Sequence, residues 1–505
     1  MAARRIMVQG TASHAGKSLL AAALGRGFAR CGLRVAPFKA WNMSLNAAPA
    51  AGGEIGWAQA LQASACGVEA AVEMNPVLVK PCGPEECQLI LLGRPAGRLR
   101  AGEAGPRAAA IEAIRSAWTK LEAENDVVVL EGAGSPAEIN LLDRDLANMW
   151  MAREADAPVL LIGDIDRGGV FAALLGTWML APEAARIRGF IINKYRGDPS
   201  RLAPGLDALQ RKTGVPTLGI VPFRSPGLPE EDALGVSAGE LPAPDGRRLR
   251  IAVARLPHMA NFSDYDSLAL EPETAVAYSF SPAVLAAADV IILPGTRATV
   301  ADLSALRDAG LEPVIRAAAE AGKPVWGICG GYQMLAESIA DPEGIEADAP
   351  LTRGLGLLPV QIRFGAEKRA QPAAGRATAA GLPELAGLPI GGYFMQHGRA
   401  GATPEPVFLL ARRERPGAGA ETGEEEPEGC VQGSVAGTAL HDIFNGEGER
   451  ARFRQAVIAL WRRQCGLPPL PASPPLPGLS ARLDAWTDHV VGHLEMPAIA
   501  RLAGL

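Results

Sequence analysis

The chain has 505 residues, 48% of them hydrophobic and 21% charged, with a formal net charge of -6. That length exceeds one ordinary core and points to two or three domains, and the composition is that of a globular chain rather than a disordered one. The small negative balance, without any long basic run, argues against nucleic acid or an anionic membrane as the main partner. No apolar run reaches the roughly 18 residues of a membrane helix, and MAARRIMVQG at the N-terminus has too short an apolar stretch for a signal peptide. The expectation is a cytoplasmic protein. The seven cysteines are scattered, Cys82 and Cys87 being the closest pair, and no CxxC occurs. A disulfide framework or zinc site is therefore not expected.

Residues 1–225 alternate short apolar runs with helical patterns. RRIMVQG at 4–10, DVVVLEGAG at 126–134, APVLLIGDID at 157–166 and IRGFIINK at 187–194 are such runs. Bounded by Gly, Asp and Asn, they predict buried parallel strands in an α/β sheet covered on both faces. Residues 226–249 are rich in Pro, Gly and acid and form the linker candidate. A second α/β pattern follows, with predicted strands at 250–256, 288–295 and 323–329. Residues 413–429 read as an acidic, flexible surface excursion. Beyond 447 come one helix, ERARFRQAVIALWRRQ, and the Pro-rich LPPLPASPPLPG at 467–478. That stretch suits a stiff spacer to the last helices better than a proline ligand for a signalling module. The predicted organisation is thus 1–225, a linker at 226–249, 250–447 and a C-terminal extension at 448–505.

GTASHAGKS at 10–18 lies between a predicted strand and a helical run. Such a turn gathers backbone N–H groups and the positive end of a helix at one point, which suits phosphate. Gly10, Thr11 and Gly16 shape the loop. Lys17 reaches the terminal phosphates, and the Ser18 hydroxyl suits Mg²⁺. The spacing is GxxxxxGKS, one residue longer than GxxxxGKS, and resembles the dethiobiotin synthetase-like branch of phosphate-loop proteins. Glu131 ends an apolar strand, where its carboxylate suits the metal. Glu54 is a second candidate oxygen ligand, although on pattern alone it is a solvated charge at a helix start. Lys39 suits phosphate or an acyl phosphate; without context it is a surface lysine. Asn193, at the end of GFIINK, suits a base edge. His14 in the loop fits either a nucleotide contact or an outward-pointing side chain.

VWGICGGYQML at 325–335 reads as strand, sharp turn and helix. Gly327-Ile328-Cys329-Gly330-Gly331 matches the nucleophile elbow, with cysteine in place of serine. The following helix start favours thiolate. The N–H of Gly330, helped by Gly295 in LPGTRAT, is placed for an oxyanion. A nucleophilic cysteine needs a base, and His441 in GTALHDIF is the candidate. His258, His397, His489 and His493 are each expected to be surface or core residues.

These motifs together resemble the cobyric acid synthases, glutamine-dependent amidotransferases of cobalamin synthesis. The resemblance runs over nearly the whole chain and is carried by VQGTASHAGKS at 8–18, APFKAWNMSLN at 36–46, GGEIGWAQALQA at 52–63 and MNPVLVKP at 74–81. LEGAGSPAEINLLDRDLANM at 130–149, GDIDRGGVFA at 163–172, INKYRGD at 192–198, LPGTRATVADL at 293–303, GICGGYQML at 327–335 and GTALHDIF at 437–444 extend it. It implies a dethiobiotin synthetase-like phosphate-loop domain followed by a flavodoxin-like class I glutamine amidotransferase domain. The implied substrates are glutamine, Mg²⁺-ATP and a corrinoid, with no tightly bound cofactor. Four carboxylates, b, d, e and g, of adenosylcobyrinic acid a,c-diamide would be amidated through acyl phosphates. Cys329 would form a thioester with glutamine and His441 would move the protons. Ser18, Glu54 and Glu131 fall at the family's Mg²⁺ positions, and Asn193 where relatives contact adenine. Asp164 and Asp166 fall on the corrinoid side, serving metal, acyl phosphate or the loop's own backbone.

The chain departs from the family pattern at several places. Trp41 and Trp57 stand where Gln and Arg are expected. In GGYFMQHGRA at 391–400 the histidine is shifted to His397 and a glutamate is missing, against a usual GYEIHMGRT. Many related glutaminases carry Glu two residues after the catalytic His; that place is Ile443 here. The expectation is therefore a Cys329–His441 dyad. Two other functions fit parts of the pattern: amidation of a different carboxylate, and a partner-regulating phosphate-loop ATPase with a degenerate glutaminase domain. The second is disfavoured because both Cys329 and His441 are present.

Overall fold

The structure, a computed structural model, describes residues 3–81, 86–100, 107–225, 227–228, 239–347, 349–413, 421–469 and 475–505. Cys82, linker residues 226 and 229–238, and residues 414–420 and 470–474 lie outside these. The chain divides into two compact units. The first comprises Met1–Ser44, Ala50–Glu231 and Leu479–Leu505; the second comprises Leu45–Pro49 and Asp232–Gly478. The C-terminal extension expected at 448–505 is thus divided: the helix Ala451–Gln464 belongs to the second unit, and the helices Leu479–Val491 and Met496–Ala503 belong to the first.

The first unit is built on a six-stranded parallel sheet in the order Thr217–Pro222, Ile187–Tyr195, Val159–Asp164, Arg4–Gly10, Val127–Glu131, Val35–Phe38. Successive side chains of a strand face opposite ways. Accordingly Met7, Val128, Leu130 and Leu161 enter one core, while Ile6, Val8, Val127, Val129 and Leu160 enter another on the opposite face. This is why the strands read as unbroken apolar runs. The second of these cores also takes in Leu483, Trp486, Val490 and Ile499 from the C-terminal helices. Trp486 Nε1 donates to the Leu19 carbonyl at 2.9 Å, and Arg26 meets Asp484 at 2.7 Å. A satellite sheet joins Trp41–Met43, Val77–Pro81, Glu86–Leu91 and Arg94–Arg100.

The second unit has a six-stranded sheet in the order Thr274–Ser279, Leu249–Ala254, Val290–Leu293, Val325–Ile328, Val435–Thr438, Cys430–Gln432, with only the last pair antiparallel. Its core includes Trp326, which packs against Phe444 and Trp461 at ring-centroid distances of 5.8 and 5.5 Å. A second sheet contains the long strands Gln361–Ala377 and Pro389–Ala400, paired antiparallel. The acidic stretch expected to be a flexible excursion departs from that expectation: Glu421–Glu428 is a strand paired with Phe408–Arg413. Its charges are met across the sheet, Glu425 by Arg376 at 2.8 Å and Glu426 by Arg369 at 3.2 Å. Among the described residues no helix is long and apolar enough to cross a membrane.

Candidate active sites

In a parallel sheet, ligands gather at the carboxyl ends of the strands. Gly10, Glu131, Asp164 and Asn193 all stand at such ends in the first unit. After Gly10 the chain turns through Thr11 and His14, the latter with φ 60°, to Gly16 with φ 99°, and the helix Lys17–Arg30 begins. Gly16 sits in the left-handed region that glycine tolerates best. A Cβ there would also fall 2.2 Å from Asn193 Nδ2. Lys17 Nζ donates to the carbonyls of Ala12 at 2.9 Å and Gly134 at 3.1 Å, so its ammonium is curled back over the loop.

Glu131 organises this site. Its carboxylate is buried and accepts the Ser18 hydroxyl at 2.7 Å and Lys39 Nζ at 2.9 Å on one oxygen. The other oxygen accepts Gln59 Nε2 at 3.2 Å and Gln62 Nε2 at 2.6 Å. Gln59 and Gln62 are three residues apart on the helix Trp57–Cys66, so they share a face. Lys39, which without context reads as a surface lysine, is only 3% exposed. Glu54 is also buried, and Lys80 Nζ donates to it at 2.5 Å. Trp57 begins the same helix with Nε1 buried and without a hydrogen-bond partner among the described residues. Trp41 packs half-buried against the core.

Asn193 and its neighbour Lys194 bond the loop, whereas Asp164 and Asp166 meet other side chains at the strand end. Asn193 Nδ2 donates to the Ala15 carbonyl at 2.9 Å. Lys194 Nζ donates to the His14 carbonyl at 2.8 Å and to Asp164 at 2.9 Å. Asp164 Oδ1 accepts the N–H of Asp166, and Asp166 pairs with Arg196 at 2.7 Å. Asn193 is therefore engaged with the loop rather than held open at the strand end. Among the described residues no three His, Cys, Asp or Glu side chains gather to hold a metal. The donor set does fit Mg²⁺. Ser18 and Glu131 offer adjacent hard oxygens, and the Lys39 ammonium balances the carboxylate on the same oxygen.

In the second unit, Cys329 follows the strand Val325–Ile328 and His441 follows the neighbouring strand Val435–Thr438. Register pairs Ile328 with Thr438, so the two chain exits lie side by side. Cys329 has φ 50° and is only 4% exposed. A cysteine in that region is strained, as a nucleophile elbow requires. The glycines around it are demanded by close approach. A Cβ on Gly331 would meet the Leu293 carbonyl oxygen at 2.0 Å, and one on Gly330 would meet Thr296 at 2.5 Å. A Cβ on Gly295 would fall 2.6 Å from His441 Cε1. Gly295, Gly330, Cys329 and His441 are thus brought together.

Beside the expected pair of Cys329 and His441 the structure places a third side chain. His441 Nδ1 lies 2.7 Å from Asp264 Oδ2, a residue 177 positions away, and both side chains are buried. Asp264 Oδ1 also accepts the N–H of Asp442 at 3.0 Å. Ile443 offers no acid to His441; the carboxylate beside the imidazole comes from Asp264, in the short 3-10 helix Phe262–Tyr265. Burial pulls His441 down, but the charges of Asp264 and Cys329, with a hydrogen bond to each, outweigh it and lift the imidazole to about 10. Tyr393 stacks on the His441 ring, centroids 5.3 Å apart, and its hydroxyl accepts Asn261 Nδ2 at 3.1 Å. Burial, with Asp264 nearby, pushes the Asp442 carboxyl up to about 7.

In the segment that departs from the family pattern, Gln396 and not His397 faces the thiol. Its Oε1 lies 3.8 Å from Cys329 Sγ, whereas His397 Nδ1 lies 3.2 Å from the Gly365 carbonyl. His258, expected at the surface or in the core, pairs with Asp302 at 2.7 Å. Asp264, Gln396, Gln59, Gln62 and Lys80 are site residues that the motifs did not single out. The i, i+3 spacing of the two glutamines was the only local signal among them.

Comparison with known proteins matches both units of the chain. Residues 6–233 match the family model described as the CobQ/CobB/MinD/ParA nucleotide binding domain, and residues 250–449 match the CobB/CobQ-like glutamine amidotransferase domain. The cobyric acid synthase of Sorangium cellulosum is 44% identical over 522 residues, covering 100% of this chain and 99% of that protein. Those of Desulforudis audaxviator and Pelotomaculum thermopropionicum are 45% and 43% identical, covering all of this chain and 99% and 97% of theirs.

Proposed function

The chain belongs to the cobyric acid synthase family, and from that premise we propose that it amidates the b, d, e and g carboxylates of adenosylcobyrinic acid a,c-diamide in the cytoplasm. It is an ATP-dependent, glutamine-hydrolysing amide ligase. Each amide uses one glutamine and one ATP.

A carboxylate resists attack by ammonia because its leaving group would be oxide. In the proposed first step a carboxylate oxygen of the corrinoid attacks the γ-phosphorus of ATP. An acyl phosphate forms, and ADP leaves. Ammonia then attacks the acyl carbon and phosphate leaves. Such phosphoryl transfer depends mainly on positioning and on neutralising spread charge. Lys17, curled over the loop, and Lys39 supply that charge, and Asn193 and Lys194 hold the loop in shape. Ser18 and Glu131 would hold Mg²⁺, which when bound neutralises phosphate charge and orients it. Glu54 joins the metal set only if its ion pair with Lys80 opens. Asp164 and Asp166 serve the strand-end surface near the loop, their charges tied to Lys194 and Arg196.

Ammonia comes from glutamine. Cys329 Sγ attacks the γ-amide carbon, and the oxyanion is met by N–H groups at Gly330 and Gly295. His441 protonates the departing nitrogen. It then takes a proton from water, which attacks the thioester and releases glutamate. Asp264 keeps the imidazole oriented and favours its charged form. The contact of Asp264 with His441, beside the elbow cysteine, is the observation that carries this half of the reading. Replacing Cys329 by Ala tests the division of labour. Glutamine-dependent amidation should vanish while amidation with added ammonium persists. Loss of both would refute separate centres.

A further inference from the structure

Beyond nucleophile, base and acid, one more side chain reaches the reacting thiol. Gln396 Oε1 lies 3.8 Å from Cys329 Sγ. The same oxygen accepts Gln333 Nε2 at 3.1 Å. Gln333 is oriented in turn by Thr299, whose hydroxyl donates to Gln333 Oε1 at 3.0 Å. Thr299 and Gln333 are both buried. A carboxamide oxygen accepts and its nitrogen donates. Gln333 presents its nitrogen to Gln396, and with that bond in place the Gln396 oxygen is the atom that faces the thiol. Gly398 makes room for the arrangement, since a Cβ there would fall 2.6 Å from Gln333 Nε2.

We propose that Gln396 distinguishes glutamine from glutamate: its oriented carbonyl oxygen beside Cys329 accepts an N–H of the substrate's γ-carboxamide. The product's γ-carboxylate has no hydrogen to offer and meets that oxygen with repulsion. Gln396 cannot turn its nitrogen toward the carboxylate without giving up the bond from Gln333. A polar group left facing the wrong partner is a strong discriminator, because its own hydrogen bond is lost as well. The role is substrate positioning, so it acts on binding and not on the protons moved by His441. The proposal rests on the glutaminase reading of Cys329 and His441.

The test measures the KM for glutamine and the inhibition constant for glutamate in the glutaminase assay. It uses the full-length enzyme and the variants Gln396→Met and Gln396→Glu. Met keeps the length of the chain and removes the acceptor. Glu keeps an acceptor that Gln333 still orients. The ratio of the glutamate constant to the glutamine KM should fall about tenfold in Gln396→Met, the worth of one hydrogen bond, and hold in Gln396→Glu. A ratio unchanged in Gln396→Met overturns the proposal, as does a ratio that collapses equally in both variants. The underlying reading is checked separately by labelling Cys329 in the unaltered enzyme with a diazoketone analogue of glutamine. Failure to label there would sink the glutaminase assignment itself, whatever the ratio does.

Discussion

Glu131 in the first unit and His441 in the second are both buried ionisable groups, but their surroundings differ in kind. Glu131 carries a cation, the Lys39 ammonium, together with the neutral donors Ser18, Gln59 and Gln62. The charge of that carboxylate is balanced by an ammonium and shared among neutral donors. His441 is held between Asp264 and Cys329, so its proton is kept through neutral pH. In the first centre a cation balances a buried carboxylate, and in the second a buried imidazole is held in its charged form. Substitutions in each should therefore show up in different measurements.

The largest effect is expected at the phosphate loop. Lys17→Ala should bring ATP-driven amidation below detection while the glutaminase keeps measurable activity. Surviving amidation would mean that the loop is not the nucleotide site. Next comes Asp264→Asn, which keeps the shape and removes the charge. Glutaminase kcat/KM should drop on the order of 10²–10⁴-fold, the usual worth of a properly held acid–base group. The pH profile gives the sharper test. With its folded-state value raised from 6.5 to about 10, protonated His441 stabilises the fold fully below about 6.5. That contribution is lost as pH rises through about 10. In Asp264→Asn the alkaline limb of the glutaminase profile should move down toward neutral pH. An unmoved limb would mean that Asp264 does not set the imidazole's charge.

Smaller effects follow from the buried pairs of the first unit. Lys80→Met leaves the Glu54 carboxylate without its ammonium and should destabilise the unit by roughly 3–5 kcal/mol, as breaking a buried ion pair does. Denaturant unfolding of the variant checks this. A change below about 1 kcal/mol would show that Glu54 is compensated elsewhere. The smallest change is expected for Asn193→Ala, which removes the bond to the Ala15 carbonyl and the one accepted from the Lys194 N–H. ATP affinity should weaken by about 0.5–1.5 kcal/mol, measured by equilibrium titration with the nucleotide. A much larger loss would favour a direct contact with the base over a role in shaping the loop.

Much of both centres was legible because each contributing motif is local, even though the motifs lie far apart in the chain. The phosphate loop lies within residues 10–18, and the strand end carrying Glu131 announces itself as an apolar run closed by acid and glycine. Cys329 is marked by its crowding glycines, and the predicted strand at 4–10 is the strand Arg4–Gly10. Asp264 was not legible. It meets His441 from 177 positions away, and nothing in NFSDYD at 261–266 names that partner. Gln396 was hidden for a similar reason: only the register of its strand decides that it, and not His397, turns toward the thiol. The strand Glu421–Glu428 was misread because its glutamates suggested a solvated loop. Arginines on the strand Gln361–Ala377, one strand beyond its neighbour in the sheet, meet those charges, and only the fold shows this. The helices after 478 gave no local hint of which core they cover; Trp486 and Val490 pack into the first unit.

The most direct test of the whole account is to incubate the protein with adenosylcobyrinic acid a,c-diamide, glutamine and Mg²⁺-ATP and to follow the corrinoid by mass spectrometry. Four successive conversions of acid to amide, each accompanied by one glutamate and one ADP, are predicted. An unchanged corrinoid, with glutaminase and ATPase activities intact, would contradict the assignment of the acceptor.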